Sequence, residues 1–418
     1  MYSKSCLSPG RGSNPRRVAV LDTIHGAAVI AERMAAQGID AQALEVYHHS
    51  PEMEGYDLVV APVHLWPGNP ALAQARRLGI KIITHHQAVG ELLSASMPVF
   101  EITGTRGKTT TALLLSQVLS MQERVVSHTT RGIELWEKGS CRRVLSGLSI
   151  APGNVITALG SAESNGAGAF VCEVSLGGTG LADYGLLTSL DGDYLIGKGA
   201  MWASTAKLQM ASLARPEMLL ICGPGVKISS EMSFGPGDQV RAERDRLRSG
   251  TEAVPIELDY GLDFPSYEHA LSGSSAAALA FGMALEDVAS GLSGFEGFSG
   301  RMKVISSGSV TVYDNSNSGL KVSGVEKALD LASSCSGSLA LVVGEESEAV
   351  CEGMDIPGLV ELLRRRREEI DLLVLVGERL EHYAEEMKAY VSKDLSSGLE
   401  LARAGGYERL VSCVKCFR

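Results

Sequence analysis

Residues 100–111 are Phe100-Glu101-Ile102-Thr103-Gly104-Thr105-Arg106-Gly107-Lys108-Thr109-Thr110-Thr111. A short apolar run leads into this segment, and the uninterrupted helical pattern of residues 112–119 follows it. A strand, a tight glycine loop and a helix N-terminus in this order direct backbone N–H groups and the positive end of a helix dipole towards one point. A polyphosphate can bind at such a point. The segment therefore predicts an α/β protein with a phosphate-binding loop.

Two side chains of this loop suit a nucleotide. The Lys108 ammonium would reach the terminal phosphates, and the Thr109 hydroxyl would hold Mg²⁺. Ile102 stands where the strict pattern requires glycine, so a glycine-rich turn that opens an ordinary core helix is the alternative. We favour nucleotide binding because a strand precedes the loop and a helix follows it. The expected contacts with ATP come from Gly104, Thr105, Arg106, Gly107, Lys108, Thr109 and Thr110.

Composition narrows the class of partner. The net charge of the chain is -11, and its largest basic block, residues 364–367, is followed at once by Glu368 and Glu369. Nucleic acid and anionic membrane surfaces are therefore poor candidates, and a small-molecule substrate is expected. No apolar run reaches membrane-spanning length. Eight cysteines are scattered without framework spacing, as in a reducing compartment, so we expect a cytoplasmic protein.

The pattern along the chain predicts three α/β domains. At 418 residues the chain is too long for one core. Residues 1–16 contain glycine and proline but no apolar core, and we interpret them as a disordered leader. Residues 17–97 and residues 302–418 each alternate short β-like runs with helical patterns, and residues 98–301 form a larger central domain that contains the phosphate-binding loop. Alternation of this kind predicts parallel sheets.

Unusual polar residues follow the predicted strands of the first domain. Asp22 and His25 come after the first strand, His64 after a second, and His85-His86 after a third. Ligands bind beyond the carboxyl ends of strands in open parallel sheets, so we predict that Asp22, His25 and His64 contact the substrate. The alternative is a set of loop histidines with local hydrogen bonds, which we prefer for His48 and His49.

Two other features carry candidate ligand atoms. Glu173 lies near the end of the apolar run 167–175, where it is either a cap or, beside a phosphate-binding loop, a second protein ligand of Mg²⁺. Cys413 and Cys416 have ligand-like spacing but no second pair. We therefore favour a structural or incidental role for these two cysteines over metal or redox chemistry.

The string Thr103–Thr110 resembles the Thr-Gly-Thr-Asn-Gly-Lys-Thr-Thr loop of the Mur ligase superfamily, with Arg106 in place of asparagine. The resemblance implies a three-domain architecture with a central ATP-binding domain. It also implies that ATP phosphorylates a carboxylate and that a nucleophile then displaces the phosphate. Glu173 matches the glutamate that holds Mg²⁺ in these enzymes, and Lys207 matches a lysine that is carbamylated in many of them and then supplies oxygens to Mg²⁺.

The same resemblance extends to three more residues. It implies that His269 lies near the adenine, that Arg301 in the glycine-rich linker contacts nucleotide phosphate, and that Asp314 faces the nucleotide. We accordingly predict catalytic roles for Lys108, Glu173, Lys207 and Arg301. Tyr194 stands where the family has a histidine that contacts a second metal, so the number of Mg²⁺ ions is open.

Within the superfamily, residues 21–26, 61–65, 193–194 and 313–320 resemble the coenzyme F(430) synthetase family. That resemblance implies that ATP activates a propionate of the nickel tetrapyrrole 15,17(3)-seco-F(430)-17(3)-acid. A carbon nucleophile of the same molecule then closes a six-membered carbocycle, with release of ADP and phosphate. Two alternatives stay open: a Mur-type amide ligase that joins an amino acid to a carboxylate, and a non-catalytic nucleotide switch built on the same loop.

Overall fold

The structure is a computed structural model that describes residue 7, residues 17–346 and residues 353–417. The predicted leader, residues 1–16, lies outside the described residues except for Leu7. The chain divides into two compact units. The first contains the residues up to Ile256 together with Glu268–Leu292, and the second contains Glu257–Tyr267 together with Ser293–Arg418.

The first sheet has four parallel strands in the order β2-β1-β3-β4. Its central strands β1 and β3 are apolar and fully buried, as expected for a sheet covered on both faces. Strand β2 was not predicted, because Ala-Gln-Ala-Leu contains no β-branched or aromatic residue. The elements are β1 Val18–Leu21, α1 Ala27–Ala36, β2 Ala41–Leu44, β3 Leu58–Ala61, α2 Pro70–Arg77, β4 Lys81–Thr84 and α3 His85–Leu92.

The second sheet of the first unit has eight strands in the order β14-β13-β10-β5-β9-β6-β7-β8. The strands from β14 to β6 run parallel, and β6, β7 and β8 form an antiparallel meander at one edge. The eight strands are β5 Val99–Thr103, β6 Val125–Thr129, β7 Gly132–Glu137, β8 Ser140–Leu145, β9 Ala169–Glu173, β10 Tyr184–Leu187, β13 Leu219–Cys222 and β14 Met232–Ser233, and a separate pair between β10 and β13 in sequence is β11 Leu195–Ile196 and β12 Met201–Trp202.

Helix α4, Lys108–Leu119, is buried over most of its surface because it packs on β6, β9 and a second helix, α9. Two small antiparallel sheets complete this part of the chain: β11 pairs with β12, and three strands pair in the order β15-β16-β17. The remaining elements are α5 Asn154–Ser164, α6 Ala203–Lys207, α7 Gln209–Ser212, β15 Val240–Ala242, β16 Arg246–Ser249, β17 Glu252–Pro255, α8 Phe264–Phe281 and α9 Leu285–Leu292.

The second unit contains a six-stranded sheet in the order β18-β19-β23-β20-β21-β22, in which only β18 is antiparallel. Its last strand in sequence, β23, lies between β19 and β20. The elements are β18 Lys303–Ser307, β19 Val310–Asp314, α10 Val322–Ser333, β20 Leu339–Glu345, α11 Ile356–Arg366, β21 Leu372–Val376, α12 Glu378–Glu381, α13 Ala384–Met387, β22 Tyr390–Ser392, α14 Leu395–Ala404 and β23 Arg409–Lys415.

These sheets confirm the predicted α/β class with parallel sheets. Among the helices of the described residues, none combines the length and the apolar character needed to cross a bilayer.

Candidate active site

The phosphate-binding loop connects the central strand β5 to helix α4, which confirms the predicted strand, loop and helix. The loop depends on glycine at two positions, since Gly104 has φ 147° and Gly107 has φ 80°. Gly107 is the N-cap of α4, so the first N–H groups of the helix face the loop. Positive φ is accessible to glycine at little steric cost, which explains why the turn can be so tight.

Lys108, Thr109 and Glu173 converge at this loop. The Thr109 hydroxyl donates a hydrogen bond to Glu173 Oε2 at 2.7 Å, and Lys108 Nζ lies 3.8 Å from Glu173 Oε1. Glu173 ends strand β9, which pairs in parallel with β5, so the carboxyl ends of the two strands bring these residues together. Glu173 is 1 % exposed. A buried carboxylate beside a hydroxyl provides the hard oxygen donors that Mg²⁺ prefers, so this donor set fits the ion.

A second loop, residues 188–191, supports the phosphate-binding loop. The resemblance placed this segment near the second metal position, but it did not predict a contact with the phosphate-binding loop. Thr105 N donates to Ser189 O at 2.8 Å, and the Thr188 hydroxyl donates to Arg106 O at 2.7 Å. These contacts arise because β10, which precedes the second loop, is the other neighbour of β5 in the sheet. To predict these contacts one would need the order of the strands in the sheet. No short segment of the sequence determines that order.

Replacement of Gly104 by alanine is expected to weaken nucleotide binding by displacing the loop. A Cβ atom at this position would lie 2.1 Å from Thr188 Oγ1 and 3.0 Å from Ser189 N. Backbone strain of about 1–3 kcal/mol corresponds to a loss of about 5- to 150-fold in affinity. Titration of wild type and of Gly104→Ala with ATP measures this loss of affinity. Gly160→Ala, at an open helical position, is the control, and equal affinities of Gly104→Ala and wild type would contradict the expectation.

His269 lies against the phosphate-binding loop. A Cβ atom at Gly107 would be 2.8 Å from His269 Cδ2, and the imidazole is 5.3 Å from the Phe234 ring, centroid to centroid. Burial lowers the pKa of His269 to about 4, so its imidazole is neutral at neutral pH. The structure thus places His269 beside the phosphate-binding loop, and its contact with the adenine stays a prediction.

Lys207 is buried at the end of α6, although lysine is rarely found in the interior. Its Nζ donates to the Tyr194 hydroxyl at 3.4 Å and lies 5.2 Å from the centroid of the same ring. Asp193 holds this segment in place, because its Oδ1 accepts hydrogen bonds from Tyr194 N and Ser204 N. Tyr194, which replaces the histidine of the Mur ligase superfamily, is thus the residue that contacts Lys207.

Asp22, His25 and His64 form one cluster at the carboxyl end of the first sheet. Asp22 Oδ2 lies 2.6 Å from His25 Nδ1, 2.7 Å from the Tyr47 hydroxyl and 3.6 Å from His64 Nε2. Burial alone would raise the pKa of Asp22, but hydrogen bonds from its neighbours, His25 first among them, hold the pKa well below its usual range. The structure therefore brings together the three residues that we predicted to contact the substrate.

His85 and His86 do not belong to this edge as binding residues. They begin α3, are buried, and their Nε2 atoms hydrogen-bond the carbonyl oxygens of Leu21 (2.9 Å) and Ser175 (2.7 Å). They drew attention because they follow β4. Helix α3 begins directly at the end of that strand, and both rings are buried. His49 makes the local hydrogen bond that we preferred for it, with Glu45.

The buried His86 is expected to make stability depend on pH. Burial lowers its pKa from 6.5 to about 4. Between these values the unfolded chain binds a proton that the folded chain excludes, so stability is full above pH 6.5 and falls on acidification by about 1.4 kcal/mol per pH unit. His86→Gln, which keeps a donor for Ser175, should show a shallower dependence by that amount in urea denaturation. Equal slopes for variant and wild type would contradict this.

Arg301 and Asp314 lie in the second unit. Arg301 Nη1 donates to Asn317 Oδ1 at 3.2 Å, and Asp314 Oδ2 accepts from Gly300 N at 2.9 Å. Asn317 also donates to the carbonyl of Gly300. These bonds join the linker to the loop that follows β19, so Arg301 and Asp314 are held close together. Asn317 is a member of this group that sequence reasoning did not single out.

Cys413 and Cys416 are buried at the end of β23. The only group of three or more ligand side chains that could hold a metal among the described residues is Asp22, His25 and His64. The structural or incidental role that we favoured for the two cysteines stays a prediction.

Comparison with known proteins gives matches over nearly the whole chain. A family model described as the C-terminal domain of coenzyme F430 synthetase CfbE matches residues 305–416. The chain is 34% identical to the coenzyme F(430) synthetase of Methanosarcina acetivorans, over 96% of this chain and 99% of that protein. It is 23% identical to the coenzyme F(430) synthetase of Methanocaldococcus jannaschii, over 81% and 79% of the two chains.

Solved structures match the fold. MurF from Acinetobacter baumannii superimposes with a TM-score of 0.58 at 18% identity, covering 81% of this chain and 79% of that one. A folylpolyglutamate synthase/dihydrofolate synthase from Yersinia pestis, complexed with AMPPNP and Mn ion, gives a TM-score of 0.55 at 16% identity, covering 80% and 90%. At this level of identity the two likenesses establish the architecture alone.

Proposed function

The chain belongs to the coenzyme F(430) synthetase family, and from this membership we propose that it is an ATP-dependent ligase that closes the carbocycle of a nickel tetrapyrrole. The resemblance to the Mur ligase superfamily is confirmed by the same relatives and by the fold. The reaction activates a propionate as an acyl phosphate, and a carbon atom of the same molecule then displaces the phosphate. The released products are ADP and phosphate.

The observation that carries the ligase proposal is the convergence of Lys108, Thr109 and Glu173 at the phosphate-binding loop. We propose that Thr109 and Glu173 hold Mg²⁺ and that Lys108 binds the terminal phosphates of ATP. Bound there, Mg²⁺ would neutralise charge on the transferred phosphoryl group. The hydrogen bond between Thr109 and Glu173 supports this assignment, because it places the two oxygen donors side by side.

We propose that the residues of the site lower the barrier to phosphoryl transfer chiefly by positioning the reactants and by stabilising negative charge. A carboxylate is a poor electrophile, and phosphorylation of one oxygen gives it a good leaving group. Lys108 would stabilise the negative charge on the transferred group, while the N–H groups at the start of α4 orient it. We propose that Arg301 adds a second positive charge, that Asp314 and His269 contact the nucleotide, and that the buried Lys207 contributes a metal-binding carbamate.

The first domain supplies the proposed contacts to the tetrapyrrole. Asp22, His25 and His64 lie at the carboxyl end of its sheet, which is the usual place for a ligand. Large apolar side chains are exposed next to them in sequence: Ile24 is 65 % and Trp66 is 42 % exposed. A flat macrocycle presents an apolar face that such residues can cover. We also retain domain boundaries after residues 16, 97 and 301 and a cytoplasmic location as parts of this proposal.

Incubation of the protein with ATP, Mg²⁺ and the open-ring nickel tetrapyrrole tests the proposed function. We expect the absorption spectrum to shift and the product to be lighter than the substrate by one water. Hydroxylamine should trap the acyl phosphate as a hydroxamate. Stimulation by a free amino acid, with formation of an amide, would favour an amide ligase instead. ADP release that needs no carboxylate substrate would favour a nucleotide switch.

A further inference from the structure

We propose that Asp22, His25 and His64 form a binding site for a divalent transition-metal ion, separate from the Mg²⁺ site of the phosphate-binding loop. One ligand atom from each of the three side chains lies within 4.8 Å of the other two. The inference depends on this geometry alone and not on the reaction proposed above.

Only one carboxylate oxygen of Asp22 faces the two imidazoles. Its backbone has φ 78°, which is uncommon for a residue other than glycine. In this conformation Oδ1 accepts hydrogen bonds from Ile24 N at 3.0 Å and His25 N at 3.3 Å. The other oxygen, Oδ2, faces the two imidazoles. The carboxylate is buried, so the common explanation for an acidic cluster, a solvated surface, does not apply to it.

The distances suit an ion that is bound between the three groups. Ligand atoms at ordinary metal–ligand distances are about 3.0–3.4 Å apart in tetrahedral and octahedral sites. Asp22 Oδ2 is 2.6 Å from His25 Nδ1 and 3.6 Å from His64 Nε2, which bracket that range. A metal ion would replace the proton that Asp22 and His25 share, and His25 and His64 offer nitrogen atoms within 4.8 Å of each other.

His64 gives an independent indication of a ligand. Its Nε2 atom is shielded from solvent and faces Asp22 Oδ2 at 3.6 Å, and among the described residues no partner lies within hydrogen-bonding distance. A buried polar atom without a hydrogen bond costs free energy, and an ion between Nε2 and the Asp22 carboxylate would satisfy it. The ring packs edge-on against His25 with centroids 4.6 Å apart, which keeps the two imidazoles in the same place.

The surroundings of the cluster resemble the outer shell of a metal site. Tyr47 donates to Asp22 Oδ2 at 2.7 Å and can orient the carboxylate. His85 and His86 lie close by but do not join the group, because their ring nitrogens are not within 4.8 Å of all three ligand atoms. The His25 and His64 side chains are 21% and 29% exposed, which leaves an entry path from solvent.

Two imidazoles and one carboxylate select the class of ion. Imidazole nitrogen suits zinc, nickel, cobalt and iron, whereas Mg²⁺ prefers oxygen donors. Three protein ligands also leave coordination positions open, as in catalytic rather than structural sites. Water, or a carboxylate oxygen of a bound molecule, can enter at those positions.

Titration of the full chain with Co²⁺ in excess Mg²⁺ tests the proposal, because Mg²⁺ blocks the phosphate-binding loop and Co²⁺ reports its ligands through visible absorption. We expect one equivalent to bind with bands typical of nitrogen and oxygen donors. His64→Ala should raise the Kd at least about 100-fold, since even loss of an outer-shell partner costs 10- to 100-fold. His25→Ala is the second variant.

His49→Ala is the matched control, because His49 pairs with Glu45 in the same sheet region but lies outside the cluster. It should bind Co²⁺ as wild type does. Zn²⁺ should displace Co²⁺ and raise the melting temperature of wild type but not of His64→Ala. Absence of Co²⁺ binding by wild type, or equal affinities of wild type, His64→Ala and His25→Ala, would overturn the proposal.

Discussion

Replacement of Lys108 by alanine is expected to lower ATP consumption and product formation at least about 1,000-fold, because a positive charge aimed at the transferred phosphoryl group is among the largest contributions to this chemistry. Lys108 Nζ already lies 3.8 Å from Glu173 Oε1, so the side chain faces the region where the phosphates would bind. The measurement is ADP release with the nickel tetrapyrrole as substrate, together with trapping by hydroxylamine.

Lys227→Ala is the control for Lys108→Ala, since Lys227 is an exposed lysine in the same unit. It should keep wild-type rates. Circular dichroism should show that both variants are folded. If Lys108→Ala kept both ATP consumption and product at wild-type levels, the assignment of the loop as the ATP site would be wrong.

The Glu173→Gln variant is expected to lose about 100-fold in kcat and to need a higher Mg²⁺ concentration for half-maximal rate. Glutamine retains an oxygen that can accept from the Thr109 hydroxyl, so the local hydrogen bond survives. The negative charge that would attract the cation is lost. Rates measured over a series of Mg²⁺ concentrations separate the two effects.

Glu163→Gln, on the exposed face of α5, provides the matched control for loss of a carboxylate. Its Mg²⁺ dependence should equal that of wild type. An unchanged Mg²⁺ requirement in Glu173→Gln would rule out Glu173 as a metal ligand, whatever happened to kcat. Loss of stability is a separate matter, and thermal denaturation of the variant distinguishes it.

The parts of the site that sequence reasoning identified are those determined by short segments. The apolar run, the glycines and the helical pattern around Lys108 are adjacent in sequence, and β5 and α4 form where that pattern predicts. Glu173 was recognisable because it lies at the end of a strand. The contacts of the loop around Thr188 with the phosphate-binding loop were not recognisable, since they depend on β10 pairing with β5.

His85 and His86 follow a strand but were not predicted to contact the substrate, and a local signal accounts for their burial. Thr84 Oγ1 accepts a hydrogen bond from Gln87 N, and Thr84-His85-His86-Gln87 has the spacing of a capping box. That signal predicts a helix beginning at His85, with side chains in its first turn available for burial. A strand end followed at once by an α-helix therefore differs from a strand end followed by a single 3-10 turn, as at Asp22.

The position of β23 has a consequence for how this protein is made. Strands β19 and β20 are held together through β23, which follows them by many tens of residues. During translation one edge of β19 and one edge of β20 have no pairing strand until residues 409–415 have left the ribosome. Such distant pairing slows folding. A nascent chain interrupted before this point would carry two unjoined halves of a sheet, a species that invites capture by chaperones or association with its own copies.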